Sequence, residues 1–149
     1  HKDITVMTVN AERFAGLRVG EQLSGREYTP DNVQLMLYNA ALWNGHRIHF
    51  DEPYAKNVEG YPGLVIAGPM LGDWLHQCVE EWLGEDGHIF SIDYSNRVAT
   101  YIGDVLTAGG EIAALRPETR EVEIDVYIKN QSGDVVTPGK VVVRFADAE

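Results

Sequence analysis

The apolar positions between Met70 and Leu83 recur every three or four residues, which is the spacing of one wide helical face. Gly84 follows the last of them and is a typical helix end. The polar side chains fall on the opposite face, so we expect this helix to be buried on one side and exposed on the other. The apolar positions are Met70, Leu71, Trp74, Leu75, Cys78, Val79, Trp82 and Leu83, and the polar ones are Asp73, His76, Gln77, Glu80 and Glu81.

The residues after this helix follow a different pattern, one that predicts strands separated by Gly, Pro and polar turns. Four strands are predicted, over residues 88–98, 104–116, 120–130 and 135–145. In the third, apolar and polar residues alternate from Glu121 to Ile128, so one face is expected to be buried and the other wet. The polar run at 130–134 predicts a hairpin turn between the last two strands.

The first part of the chain predicts a short strand at residues 21–28 and then a helix. Thr29 is suited to cap that helix and Pro30 to be its first residue. The helix carries Val33, Leu35, Met36, Leu37, Ala40 and Leu42 at roughly helical spacing. It is expected to end near Trp43, because Asn44-Gly45 is a strong turn dipeptide. A second short helix is predicted at residues 52–57, before a turn at 60–63 and an extended piece at 64–66.

Together these elements predict an α+β fold in which a curved antiparallel sheet wraps around the long helix. Neither a repeat nor a linker divides the 149 residues, so one domain over residues 1–149 is expected. An open sheet leaves an edge strand unpaired. Pairing with a second copy would cover that edge, so a homodimer is expected.

The formal net charge is −11, from 23 acidic and 12 basic residues. Nucleic acid is therefore not an expected partner, because phosphate neutralisation needs clustered Lys and Arg. A single phosphorylated ligand is compatible with a few local cations, for which Arg47, Lys56, Arg97 and Lys140 are the candidates. No apolar run approaches the ~20 residues that span a bilayer, so no membrane partner is expected.

Cys78 is the one cysteine, which excludes an internal disulfide and a Cys-rich zinc site. Its place in the apolar helical face predicts a buried structural thiol. The start His1-Lys2-Asp3 lacks the features of a secretory signal. These features favour a reducing compartment: the cytoplasm, with the mitochondrial matrix as the alternative for a eukaryotic source.

The polar chemistry concentrates between Trp43 and Asp51, whose sequence is W-N-G-H-R-I-H-F-D. His46 and His49 lie beside Asn44, ahead of a glycine, Gly68, that opens the long helix. A histidine is suited to act as base and then acid near neutral pH. A free backbone N–H at a helix N-terminus stabilises developing negative charge. This combination is typical of chemistry beside a carbonyl group.

Simpler interpretations exist for each part of this pattern. Two histidines three residues apart are often just surface residues, and Gly68-Pro69 commonly marks a turn. A zinc site would need at least a third ligand, and no H-E-x-x-H pattern is present, so no metal is expected. His76 is expected to face solvent, and the tryptophans are expected to be core or interface anchors. The spacing of the histidines and the glycine before this helix favours the functional interpretation.

The motif resembles that of the MaoC-like enoyl-thioester hydratases and dehydratases. In that family, a loop of pattern Asp-x-Asn-Pro-x-His supplies the acid/base residues, and a glycine at the start of the central helix supplies an oxyanion-binding N–H. Carried over, these fall on His49 and Gly68. The resemblance extends from about residue 20 to 146 and includes Tyr54-Ala55 and Gly103-Asp104. It implies a hot-dog fold.

The chain departs from the family pattern at three positions, where Asn44, His46 and Arg47 replace Asp, Asn and Pro. An amide cannot accept a proton, so half of the usual pair of bases is missing. The variant, with Glu-Gly-Tyr-Pro-Gly at residues 59–63, is similar to the subgroup of mesaconyl-C4-CoA hydratase and the mitochondrial-type hydroxyacyl-thioester dehydratases. Asn44 is therefore expected to be a trait of the subgroup.

The resemblance implies a hydratase or dehydratase, a carbon–oxygen lyase, that interconverts enoyl and 3-hydroxyacyl thioesters. It implies no bound cofactor and an acyl-CoA substrate in preference to acyl carrier protein. His49 is the expected acid/base, Asn44 orients water or the carbonyl, and the role of His46 is open. Gly68, Arg47 and Tyr61 are the substrate-binding candidates. Two alternatives remain: a non-catalytic acyl-thioester-binding or partner subunit, and a thioesterase that uses Asp51 or Glu52.

Overall fold

The computed structural model describes residues 12–147 of the chain; the polar start at His1-Lys2-Asp3 lies outside them. Within residues 12–147, three α-helices and five strands follow one another in the order β1, α1, α2, α3, β2, β3, β4 and β5. Their bounds are β1 Arg26–Tyr28, α1 Asn32–Ala41, α2 Glu52–Asn57, α3 Gly68–Leu83, β2 Gly87–Tyr94, β3 Leu106–Arg116, β4 Glu121–Lys129 and β5 Val135–Phe145.

The central helix α3 has the bounds that its apolar spacing predicts, from Gly68 to Leu83 with Gly84 as its C-cap. Its apolar face is buried against strands β2, β3 and β4, while the predicted polar residues are exposed. Cys78 is 1 % exposed within this core, and its burial raises the pKa of the thiol. The prediction of a structural cysteine is confirmed.

The five strands form one antiparallel sheet in the order β1-β3-β4-β5-β2. Strands β3, β4 and β5 are joined by hairpins, whereas β2 crosses to the far side and pairs with β5. In β4, the residues Val122, Ile124, Val126 and Ile128 are all buried and the intervening ones are not. The alternation predicted for this strand is confirmed, and so is the expected α+β hot-dog arrangement of a sheet around a helix.

Several predicted strand bounds were too long. The first strand is paired as a ladder only at Arg26–Tyr28, with one isolated bridge from Gln22 to Glu111. Strand β2 ends at Tyr94 instead of continuing to 98, and β3 begins at Leu106 instead of 104. The segment after β2 still follows β5, because the N–H groups of Ser95 and Arg97 donate to the carbonyls of Pro138 and Val136.

The start of α1 differs from the prediction. The N-cap is Asp31, whose carboxylate accepts the Gln34 N–H at 2.8 Å, and Thr29 and Pro30 precede the helix. An aspartate three residues before a free N–H competes well with threonine for this position. The helix ends at Ala41, slightly before the predicted Trp43.

The apolar residues of α1 are mostly not part of the core. Leu35 is fully buried, but Val33, Met36 and Leu37 are each more than half exposed. Trp43, just beyond the helix, is 95 % exposed, so it is not a core anchor. None of the helices in residues 12–147 has the length and apolarity needed to cross a membrane.

Candidate active site

The extended segment 64–66 lies between the histidine motif and the loop that follows β2. On one side the Val65 N–H donates to the Ile48 carbonyl at 3.0 Å. On the other side the Ile66 N–H donates to the Thr100 carbonyl at 2.8 Å. Helix α3 begins two residues after Ile66. The segment therefore joins the histidine motif to the N-terminus of the central helix.

His49 ends a short 3-10 helix, Arg47–His49, and is 6 % exposed. Its Nδ1 atom lies 2.6 Å from the Val65 carbonyl oxygen. A carbonyl only accepts hydrogen bonds, so Nδ1 must carry the proton. In the neutral ring the other nitrogen, Nε2, then holds the free electron pair. The backbone thus fixes both the orientation and the tautomer of His49.

Burial lowers the pKa of His49 from its ordinary value, because the charged imidazolium loses hydration. The hydrogen bond to Val65 acts in the opposite direction, and the proximity of His46 lowers the pKa further. The two imidazole rings are 5.7 Å apart between centroids and nearly perpendicular. His49 is consequently a neutral base near pH 7, whereas His46 is exposed.

Asn44 precedes this 3-10 helix and is half-buried. Its Oδ1 atom accepts the backbone N–H of His46 at 3.2 Å, which holds the entry to the histidine motif in a turn. Because Oδ1 is used in this turn, Nδ2 is the part of the side chain left to donate to other groups. The amide is thus built into the loop that carries both histidines.

Arg47 and Tyr61 lie on the flank of the motif. The Arg47 guanidinium contacts Asp51 through Nε at 3.0 Å and Nη2 at 2.8 Å, and it stacks on Tyr54. Tyr61 packs with Ile48, Ala55 and Val65 in a small cluster under the motif. Arg47 is therefore paired with an acidic residue, and Tyr61 packs beneath the loop that carries His49.

Gly68 is the first residue of α3, so its N–H precedes the first intrahelical hydrogen bond. Pro69 follows and has no N–H. A cavity of about 230 Å³ opens beside this helix end. Its lining includes Val65, Gly68, Asn96 and Thr100. The residue that orients His49 and the start of α3 thus border the same space.

The structure therefore joins His49 to the segment that leads to Gly68, and it keeps Asn44 and His46 in the same loop. Sequence reasoning did not single out Val65, Asn96 or Thr100. Val65 acts through its carbonyl, which no side-chain pattern reveals. Asn96 and Thr100 lie in a loop whose sequence contains no motif that would point to a functional role. Residues 12–147 contain no group of three or more His, Cys, Asp or Glu side chains suited to a metal ion.

A comparison with family models matches the hydroxyacyl-thioester dehydratase type 2 family over residues 12–102, more than half of the chain. The chain belongs to this family. The match covers the histidine motif, the segment 64–66 and the whole of α3, and it confirms the resemblance inferred from the motif. The residues that match the type 2 dehydratase family model thus include those that form the candidate site.

Curated proteins related to this member of the type 2 dehydratase family match it over short segments. Mesaconyl-C(4)-CoA hydratase of Chloroflexus aurantiacus is 50 % identical over 46 residues, which are 31 % of this chain and 16 % of that protein. The mitochondrial hydroxyacyl-thioester dehydratase type 2 of Saccharomyces cerevisiae is 31 % identical over 58 residues, 39 % of this chain and 21 % of that protein. The matched segments span about a fifth or less of these relatives.

Solved structures resemble the chain over most of its length. The (R)-hydratase from A. caviae involved in PHA biosynthesis superposes with a TM-score of 0.80 at 20 % identity, over 87 % of this chain and 98 % of that chain. A chain of the ChsH1-ChsH2 complex from Mycobacterium tuberculosis gives 0.77 at 19 % identity, over 87 % and 98 %. At these identities, the structural similarity establishes that this member of the type 2 dehydratase family has the hot-dog fold.

Proposed function

We propose that the protein is a carbon–oxygen lyase that interconverts an enoyl thioester and a 3-hydroxyacyl thioester, with His49 as its acid/base. The observation that carries the proposal is the 2.6 Å contact from His49 Nδ1 to the Val65 carbonyl. It leaves Nε2 as an unprotonated base, and it ties the ring to Val65, which lies three residues before the start of α3. The family assignment supports the class of substrate.

In the direction of hydration, Nε2 of His49 removes a proton from water while the water oxygen bonds to C3 of the enoyl group. The electron pair of the double bond moves toward the thioester, and negative charge grows on its oxygen. The Gly68 N–H and the dipole of α3 stabilise that charge. The imidazolium then returns the proton to C2. Dehydration follows the same steps in reverse, and no cofactor takes part.

CoA suits the surroundings of this cavity as the thiol carrier. Arg97 lines both the cavity at Gly68 and a neighbouring surface cleft that also contains Lys140. The Arg97 guanidinium is suited to bind a CoA phosphate. The other cationic candidates pair with carboxylates: Arg47 with Asp51, Lys56 with Glu52 and Lys140 with Glu123. We expect Arg97→Ala to raise KM for crotonyl-CoA but not for crotonyl-pantetheine, which lacks those phosphates.

The test of the function is hydration of crotonyl-CoA and of branched or dicarboxylic enoyl-CoAs, followed as loss of enoyl absorbance. Wild type is expected to turn over at least one of these far faster than His49→Ala. His76→Ala is the control, because His76 is an exposed histidine on α3 that pairs only with Glu80 in the described contacts. A wild-type rate equal to that of His49→Ala on all of them contradicts the proposal.

The second candidate is a non-catalytic acyl-thioester-binding or partner subunit, which Asn44 favours because it replaces a carboxylate. Sizing chromatography and assay of the chain alone separate the two. We further propose an active homodimer, joined through edge strand β2, where Phe90 and Ile92 are exposed. A chain that is active only with a different companion would support the second candidate instead.

A thioesterase would need a free carboxylate in the motif to activate water. Asp51 accepts hydrogen bonds from Arg47 and from the Tyr54 N–H, and Glu52 pairs with Lys56 at 2.6 Å. Both carboxylates are thus committed to other groups, which makes this the weakest candidate. Release of free thiol from acyl-CoA would reveal it.

A further inference from the structure

The cavity beside Gly68 contains a side-chain amide that the proposed mechanism has not used. Asn96 lies in the loop after β2, and this loop is held on β5 by backbone hydrogen bonds from Ser95 and Arg97. Asn96 lines the cavity together with Val65 and Gly68. Its amide therefore stands in the space where the substrate carbonyl is proposed to lie.

The orientation of this amide is set by a buried hydroxyl. Thr137 on β5 is fully buried, and its hydroxyl donates to Asn96 Oδ1 at 2.9 Å. Because Oδ1 is engaged there, Nδ2 is turned toward the helix end. A Cβ placed on Gly68 would lie 2.5 Å from Nδ2. The amide nitrogen thus occupies the space in which any side chain at position 68 would begin.

This contact gives a physical reason for glycine at position 68. A backbone N–H is present at the first position of a helix for almost any residue, so it does not by itself require glycine. The close approach of Asn96 Nδ2 favours glycine, because a methyl group at position 68 would overlap with that amide unless the Asn96 side chain moved. The absence of a side chain at Gly68 therefore allows two donors to lie close together, its own backbone N–H and the Asn96 side-chain amide.

Thr100, which borders the same cavity, carries a hydroxyl that no described residue satisfies. The residue is 2 % exposed, so this hydroxyl is buried. A buried hydroxyl without a partner is unfavourable by about 1–3 kcal/mol. A water or a ligand atom that reaches the hydroxyl would satisfy it.

We propose that Asn96 Nδ2 is a second hydrogen-bond donor to the thioester oxygen, beside the Gly68 N–H, and that Thr137 is its positioning residue. This inference rests on the proposed function. Because the charge on that oxygen is greatest in the transition state, the second donor acts mainly on kcat. Nδ2 keeps two hydrogens for this role, since Thr137 bonds only to Oδ1.

The experiment measures kcat and KM for hydration of crotonyl-CoA by the full chain. Removal of one such donor typically lowers kcat about 100-fold or more, and we expect this for Asn96→Ala with little change in KM. Asn96→Asp should lose at least as much, because a carboxylate only accepts hydrogen bonds. Asn32→Ala is the matched control, since Asn32 is an exposed asparagine at the start of α1.

Two further variants separate positioning from folding. Thr137→Val keeps the shape of the side chain but removes the hydroxyl, so kcat should fall about tenfold at an unchanged Tm, and Thr137→Ser should restore it. Gly68→Ala keeps the N–H, yet it should lower kcat as Asn96→Ala does. In the Asn96→Ala background the same change should cost little more, because the overlapping atoms are gone.

The outcomes distinguish this inference from the proposed function. If wild type and His49→Ala are equally inactive, the function is wrong and the inference is overturned with it. If wild type is active and His49→Ala is not, but Asn96→Ala keeps the wild-type kcat, only the inference is overturned. Equal losses in the Asn96→Ala and Asn32→Ala variants would also overturn it.

Discussion

The Nδ1 atom of His49 lies 2.6 Å from the carbonyl oxygen of Val65. This bond makes Nε2 the basic nitrogen, and burial lowers the pKa of the ring. The imidazole is therefore neutral over a wider range of pH than an exposed histidine.

The activity should persist below the ordinary histidine pKa. Because the base must be neutral to accept a proton, kcat/KM is expected to decline only at a pH below about 6.5. The measurement is the pH profile of kcat/KM for the best enoyl-CoA substrate. An acid limb at or above that value would show that another group, or a histidine without the pKa shift, limits the reaction.

The stability should also depend on pH through His49. Its pKa is lower in the folded protein than in the unfolded chain, so protonation favours unfolding. The contribution of the neutral ring is complete above pH ~6.5 and is lost as the pH falls through the folded-state pKa. Tm should therefore fall between pH 7 and 5, and less so in His49→Gln. His76→Gln, at an exposed site, should keep the wild-type slope.

Asn44→Asp should lower the activity, although it restores the carboxylate of the wider family. One carboxylate oxygen can keep the hydrogen bond from the His46 N–H, but the other replaces the donor Nδ2. A negative charge near the forming enolate is repulsive by about 2–4 kcal/mol at an effective dielectric of about 20, which means at least tenfold in rate. The measurement is kcat/KM for Asn44→Asp and Asn44→Ala. An Asp variant faster than wild type beside a nearly inactive Ala variant would identify position 44 as a base.

Thr100→Val should separate activity from stability. The change keeps the side-chain shape and removes a buried hydroxyl that lacks a partner in the described structure. The free energy of unfolding should be unchanged or rise by about 1 kcal/mol, while kcat/KM falls if the hydroxyl contacts substrate. Thermal unfolding and the hydration assay measure the two effects. A marked loss of Tm would show instead that the hydroxyl supports the fold.

Asp31→Ala should destabilise the protein more than Thr29→Ala. The Asp31 carboxylate caps α1 through the Gln34 N–H, and loss of such a cap costs about 1 kcal/mol. That amounts to a decrease in Tm of roughly 3 °C for a chain of this size. Thr29 precedes the cap, so its substitution should have little effect. Thermal unfolding of both variants decides which residue caps the helix.

The sequence alone determined the elements whose pattern is local and repeated. Helix α3 was predicted to its observed bounds, because an apolar face, a Gly-Pro start and a glycine end all lie within one segment. The alternation of β4 and the strand β5 were predicted for the same reason. The histidine motif was recognised because its residues are close together in the chain.

Only the tertiary structure decided which distant residues meet. Strand β2 pairs with β5 rather than with its neighbour in sequence, and α1 keeps most of its apolar side chains exposed. The tautomer of His49 depends on a carbonyl 16 residues away, and the Asn96 amide depends on a hydroxyl 41 residues away. Periodicity reports which face of an element is apolar, but it carries no information about what covers that face. Hydrogen bonds between segments that are far apart in sequence are formed only when the sheet closes around the helix.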